Sequence, residues 1–505
     1  MKRLWLIFGL LLCSVLLARA DEDALLKLLV RKKIITEKEA TAVKSELAEE
    51  KKSAGSAASS AKSGDATAQP GRADERRGPE LVEKSGSKFK LSTPITELEL
   101  YGDARLRFEV RQGETLGGDT QQRVRERYRI RLGLRGTLTD DWSFGLRLET
   151  GTSPRSSNVT FGDDTTTTSG GTTTTNGPFA KNNDGIFVGQ AYLNYRGLKD
   201  VTLTGGKMAN PFISTSMVWD PDINPEGLAE QWKHTFVLGG QPAAAAATDG
   251  KDGKAVAAAK SKASPMKLDL FVNLGQFVYD DTNPENPVGP SPRGVPRADA
   301  FMLGWQIGAR FTFPNQVYAQ AAPALYNYTG NGDTFNQHFV GESGENQTGI
   351  NSLLVFDLPA EIGWKLGDIP MRFFADFAVN LNGNERATAA GHPDKTDQKY
   401  AFQVGLGVGQ LKAKGDWQVN VFYQRADQFA LDPNLVDTEF FDSKLNLQGI
   451  GVTAGYMLSN AVSVNLLYAY ATHAESGLGT GGLGDIAISP LTNYQLFQAD
   501  LNLKW

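Results

Sequence analysis

Residues 99–109, ELYGDARLRFE, and 123–136, RVRERYRIRLGLRG, decide the fold. In the first stretch Ala104, Leu106 and Phe108, continued by Val110, alternate with Asp103, Arg105, Arg107, Glu109 and Arg111. In the second, Tyr128, Ile130, Leu132 and Leu134 fall on one side, and Arg123, Arg125, Arg127, Arg129, Arg131 and Arg135 on the other. A period of two is that of a strand with one apolar and one polar face. A helix would scatter the same arginines around its circumference.

The pattern recurs outward from there to the last residue. Trp142, Phe144, Leu146 and Leu148 oppose Ser143, Arg147 and Glu149, and Phe497, Ala499, Leu501, Leu503 and Trp505 oppose Gln498, Asp500, Asn502 and Lys504. Sixteen such segments are expected, near 98–112, 123–138, 141–151, 185–196, 199–208, 228–238, 265–279 and 298–313, then 315–329, 349–366, 369–382, 398–412, 415–426, 443–458, 460–472 and 492–505. Long polar loops at 113–122, 152–184, 209–227, 280–297, 330–348, 383–397, 427–442 and 473–491 alternate with short turns such as Thr139-Asp140 and Gly367-Asp368. The Ala-, Lys- and Gly-rich stretch 239–264 breaks that rhythm and reads as an insertion in a turn.

A soluble sandwich also alternates, but with strands of about 5–6 residues. Many segments here reach the ~9–11 residues that cross a bilayer at a tilt. In lipid a sheet must close so that every backbone group is paired. The expectation is therefore an all-β fold, a sixteen-stranded antiparallel transmembrane β-barrel, with apolar residues toward lipid and polar residues toward a lumen. Tyr101, Trp142, Tyr195, Tyr423, Tyr456, Tyr468 and Trp505 are candidates for an interfacial aromatic girdle.

Composition hides this. The 505 residues are 40% hydrophobic and 22% charged with a net charge of -5, the profile of a water-soluble chain and no case for nucleic-acid binding. Leu4 to Ala18 is the one long apolar run, too short for a spanning helix of ~20 residues, so a multi-span helical protein is excluded. With Lys2 and Arg3 before it and Ala18-Arg19-Ala20 after it, the run reads as a signal peptide over 1–20. Cys13, the single cysteine, leaves with it, and disulfide or thiol chemistry with it. Residues 21–52 read as a helical segment: Leu25, Leu28 and Leu29 share a face, and Thr36 with Glu39 makes a capping box. A Ser-, Ala- and Gly-rich linker follows over 53–97, and the barrel spans 98–505.

Those two quoted stretches, with DALLKLLVRKKIITEKEA at 23–40, NPFISTSMVWDPDINPEG at 210–227 and LNLKW at 501–505, resemble bacterial outer-membrane porins, in particular the porin family with a short helical segment after the signal. The resemblance implies a bacterial outer-membrane location and a homotrimer. It implies recognition of the C-terminal Trp505 by barrel-assembly machinery. It also implies that the loop at 209–227 folds inward and narrows the lumen. Asp220, Asp222 and Glu226 on that loop would face a basic ladder of Arg105, Arg107, Arg125, Arg127, Arg129, Arg131 and Arg147.

Guanidinium stays charged at any relevant pH, so an inward ladder lines the pore with a permanent field and favours anions. The competing reading is that the arginines pair with Asp103, Glu109, Glu126 and Glu149 and hold the wall together, although Glu126 has the outward parity. The loop acids have an equally plain alternative in solvent exposure. The function expected is passive diffusion of ions and small hydrophilic solutes past outer-membrane lipid, without cofactor or catalysis. The alternative is a surface adhesion or structural barrel with a plugged lumen. His234, His338, His392 and His473 show no metal-ligand spacing, and no GxSxG, Walker or HExxH motif occurs.

Overall fold

The computed structural model describes residue 92 and residues 94–505, apart from 152–155, 163–165, 170–171, 176–184, 240–264, 282–298, 330–348, 483 and 487–489. The expected signal peptide and helical segment, nearly all of the expected linker and all of the insert except Gly239 lie outside the described residues.

Sixteen strands make the wall: β1 (Ile95–Thr115), β2 (Thr120–Leu138), β3 (Trp142–Gly151), β4 (Gly185–Tyr195), β5 (Val201–Lys207), β6 (Glu226–Leu238), β7 (Met266–Asp280) and β8 (Ala300–Thr312). They continue as β9 (Tyr318–Ala321 and Ala324–Thr329), β10 (Leu354–Asp357 and Ala360–Leu366), β11 (Ile369–Asn380), β12 (Tyr400–Gly409), β13 (Trp417–Ala426), β14 (Leu447–Met457), β15 (Val462–His473) and β16 (Leu491–Lys504). Each matches an expected segment within a few residues, except that β1 and β2 run further. The loop expected at 113–122 is a turn of residues 116–119, because pairing continues to Glu114 opposite Thr120. Within the long loop expected at 152–184, Thr166–Ser169 and Thr172–Thr175 pair as a hairpin.

Every neighbouring pair is antiparallel, and β16 returns to β1 from Asp103 opposite Lys504 to Glu114 opposite Asn493. The seam ends where Gly102 and Trp505 exchange backbone hydrogen bonds of 3.1 and 3.2 Å. Closure leaves no free edge. The short-turn end carries tight turns: Asp140 and Asp141, at φ of +62° and +65°, make the left-handed pair that suits a two-residue hairpin.

Prolines interrupt β9 and β10 side by side, at Pro323 and Pro359. Proline has no N–H for the ladder. Its carbonyl still serves: Ile307 N–H donates to Pro323 O at 3.1 Å, and Ala322 N–H to Pro359 O at 3.0 Å.

The alternation sorts as expected. Leu106, Ile130, Ile307, Val421 and Leu501 stand exposed on the outer face, while Arg107, Glu109, Asn273, Gln306 and Gln403 are buried inside. Trp142, Tyr456, Tyr468 and Trp505 are exposed on the outside, and Trp142 packs on Tyr195 with ring centroids 5.0 Å apart. Tyr101 departs from the girdle. It has the inward parity of Asp103 and Arg105, lies over Gly133, and carries the Arg135 guanidinium 4.0 Å above its ring.

An arginine on the lipid face near the bilayer mid-plane costs about 2–4 kcal/mol. Ile307→Arg, midway along β8, is expected to lose that much, read as a lower urea midpoint for folding into lipid bilayers.

Candidate functional site

The interior is organised by the ladder. Across β1 and β2, Arg105 stands opposite Arg129, Arg107 opposite Arg127, and Arg111 opposite Arg123. Like charges directly opposite are destabilising, so the ladder needs carboxylates from elsewhere. Some come from the wall. Arg107 holds Asp500 of β16 in a two-point pair at 2.7 and 2.8 Å. Glu109, fully buried, accepts from Arg111 at 3.0 Å, from Arg125 at 2.9 Å and from Gln498 at 2.8 Å. Asp103 bridges Arg129 at 3.0 Å and Arg131 at 2.7 Å, and Glu149 holds Arg147 at 3.1 Å.

Three loops supply the rest. Loop 3 (208–225) gives Asp222, 3.0 Å from Arg131 and 3.4 Å from Arg129. Loop 7 (427–446) gives Glu439, which pairs with Arg107, and Asp442, 2.9 Å from Arg111. Loop 8 (474–490) gives Asp485, 2.7 Å from Arg125. Arg105 and Arg127 are less fully matched: Arg105 donates to Asn158 at 2.8 Å with Asp500 3.6 Å away, and Arg127 donates to Ser156 at 3.1 Å with Glu109 3.9 Å away.

Loop 3 crosses the lumen. At one end Phe212 lies against Gly275 of β7 and Gly304 of β8. A methyl group on Gly304 would stand 2.3 Å from the Phe212 ring, so the two glycines form a slot for it. Ile213 N–H donates to Gln306 of β8 at 2.9 Å, and Thr215 donates to Asp376 of β11 at 2.5 Å. At the other end Asp222 reaches β2. Loop 7 lies against it: Asp220 N–H donates to Leu435 O at 2.7 Å and Asp437 N–H to Ser216 O at 3.2 Å. Met217, Trp219, Leu431 and Leu435 are buried in one apolar cluster with Phe277, Tyr326 and Val355 of the wall. The four-residue helix α1 (Thr438–Phe441), capped by the Asp437 carboxylate, aims Glu439 at the ladder.

Of the three loop acids expected, Asp222 meets the arginines. Asp220 is buried at the junction of loops 3 and 7. Glu226 starts β6, exposed, with Lys207 2.8 Å away. Of the four wall acids weighed as partners, Asp103, Glu109 and Glu149 pair, while Glu126 stays exposed on the outer face without a bulge. Glu439, Asp442 and Asp485 meet the ladder from loops that were not singled out, and Asp500, placed on the inner face by alternation, was not recognised as a partner of Arg107. The apolar content of 427–446 (Phe429, Leu431, Leu435, Val436, Phe441, Leu445) was the available signal that loop 7 is not a surface loop. Among the described residues no group of three or more His, Cys, Asp and Glu side chains is placed to hold a metal.

Electrostatics divide the loop acids. Burial opposes ionisation of Glu439, but Arg107 and Arg105 outweigh it and hold the carboxyl at about 2. Arg111 and Arg125 likewise overcome burial at Asp485, again to about 2. Asp220 has no such cation. Burial, then Asp222, pushes it up to about 7, and burial with Asp220 and Glu439 pushes Asp437 well above the carboxylate range.

Residues 112–352 match the model of a family described as "Putative porin", in agreement with the resemblance seen in the sequence. No curated protein matches the chain. Among solved structures it is similar to OprB of Pseudomonas putida in a high-pH form, with 12% identity over 81% of this chain and 94% of that one and a TM-score of 0.45. It is also similar to the outer-membrane-expressed OmpT of Vibrio cholerae, with 10% identity over 83% and 100% of the two chains and a TM-score of 0.38. A loop-deletion mutant of that outer membrane protein aligns at 12% identity over 81% and 99%, with a TM-score of 0.37.

Two outcomes are expected. Gly304→Val fills the slot, displaces Phe212 and costs about 1–3 kcal/mol by overpacking, read as a lower thermal midpoint and a changed single-channel conductance. A carboxyl raised in the folded state favours the fold most below its unfolded value and loses that contribution as pH rises through the folded one. The junction of loops 3 and 7 is therefore expected to hold at pH 5 and to loosen above about 7. Current noise from open-channel fluctuations should rise over that range, and Asp220→Asn should flatten the response.

Proposed function

We propose that this chain is an outer-membrane channel through which ions and small hydrophilic solutes diffuse passively, narrowed by loops 3 and 7. The observation that carries the reading is a closed sixteen-strand wall, apolar outside and charged inside, with a loop anchored to opposite walls. A wall of this size encloses more space than its own side chains fill. The family match over 112–352 supports the porin-like character. A homotrimer and recognition of Trp505 during assembly belong to the proposal. No step needs a bound cofactor.

Anion preference is part of the proposal. Arg105 and Arg127 support it, because amide, hydroxyl and carbonyl oxygens rather than close carboxylates receive most of their hydrogen bonds. A second reading, a surface adhesion or structural barrel with a filled lumen, draws on the apolar cluster between loops 3 and 7 and the wall. Planar-bilayer recording separates the two: salt conductance from refolded protein is expected, and its absence rejects the channel. Replacing Arg127, Arg129 and Arg131 by Ser removes three cations and strips Asp103 and Asp222 of partners. The reversal potential in a salt gradient should move toward cation preference, and an unchanged value would reject the role given to the ladder.

A further inference from the structure

Beneath loop 3, toward the short-turn end, lies a cavity of about 280 Å³. That is close to the lower end of the ~300–1,000 Å³ range of small-molecule sites. Loop residues Ile213–Ser216 roof it, and its walls come from β9 to β14 together with Phe440 of α1. We infer that this cavity is a binding subsite for a neutral, ring-shaped polyol of monosaccharide size on its way through the barrel. The inference rests on the channel reading and names a solute class for it.

Three features of the lining converge on that chemistry. First, the lining itself carries one acid, Glu361, and one base, Arg372. Glu361 has Arg372 3.4 Å away and Arg310 at 3.8 Å. A carboxylate solute would meet Glu361, and an ammonium would meet Arg372. A neutral hydroxyl is served by both, since guanidinium only donates and carboxylate only accepts.

Second, the remaining polar groups of the wall are amides and a hydroxyl from four separate strands: Gln320, Gln403, Asn420 and Thr453. They are held by bonds along the wall, from Gln403 to Gln424 at 2.8 Å and from Asn420 to Thr453 at 2.9 Å. Each amide carries more donors and acceptors than these bonds consume. A wholly apolar solute would strip them of water without replacement.

Third, aromatic rings line the cavity between the polar groups. Phe374 lies under the Arg372 guanidinium, 4.7 Å from its ring centre, and Phe422 meets Phe440 edge-on at 4.7 Å. Hydroxyls around the rim of a ring and C–H groups on its faces match that alternation of polar groups and aromatic rings. The roof is fixed by the bonds of Ile213 and Thr215 to β8 and β11, so the site is formed before a solute arrives.

The test is planar-bilayer recording of the full-length protein while glucose is titrated, with gluconate as the charged control. The expected result is a salt current that falls saturably with glucose and does not saturate with gluconate. Gln403→Ala and Arg372→Ala should each raise the half-blocking concentration about tenfold. Val421→Ala, on the outer face of β13, should leave it unchanged, and heat-modifiable gel migration verifies that each variant has folded. A current that falls only in proportion to solution viscosity, or tighter block by gluconate, overturns the subsite while the channel stands. No salt conductance at all overturns the channel and the subsite with it.

Discussion

A chain lying in hydrocarbon has no water with which to satisfy its peptide groups, and that constraint governs the rest of this structure. It forces β16 back onto β1, and it fixes the register of the seam from Asp103 to Glu114. It also explains why Pro323 and Pro359 are tolerated. They fall beside one another on neighbouring strands, and the carbonyls around them still find donors. Once the wall is closed, each strand must divide its residues between lipid and lumen. A strand face crowded with arginines is then admissible on the inner side alone.

The inner side has a problem of its own. Arginine faces arginine across β1 and β2, in a partly dry interior where repulsion is weakly screened. Asp500, Glu109 and Asp103 relieve part of it from the wall, and Asp222, Glu439, Asp442 and Asp485 relieve more from three loops. The ladder therefore serves as a docking rail for those loops. The loop tips are drawn inward because their charges are needed there, and their apolar residues then pack into a second core inside the barrel.

The wall was legible in the sequence because alternation is local. A parity rule applied to Arg105 or Leu106 needs only the neighbouring residues, and it placed both correctly. It also put Glu126 outside, where the structure has it. Tyr101 was misjudged as girdle because its position near a strand end outweighed its inward parity. The interior was less legible, since its bonds join distant residues. Arg107 and Glu439 are 332 positions apart, and Arg131 and Asp222 are 91 apart. Nothing near Glu439 in the chain distinguishes it from a solvated loop acid. Glu226 shows the converse: it sits in the right loop by number, but β6 begins at that residue and turns it toward Lys207.

The anchoring of loop 3 has a consequence for the order in which the molecule can be made. Its contacts lie on β2, β7, β8, β11 and loop 7, which are separated in the chain by up to several hundred residues. No subset of strands presents the Phe212 slot, the Asp376 acceptor and the Arg131 partner together until the sheet has curled round. The inward loop is thus among the last parts to settle. A barrel caught before its seam zips would have a wide, unobstructed mouth, and the narrow passage is itself a sign that closure is complete.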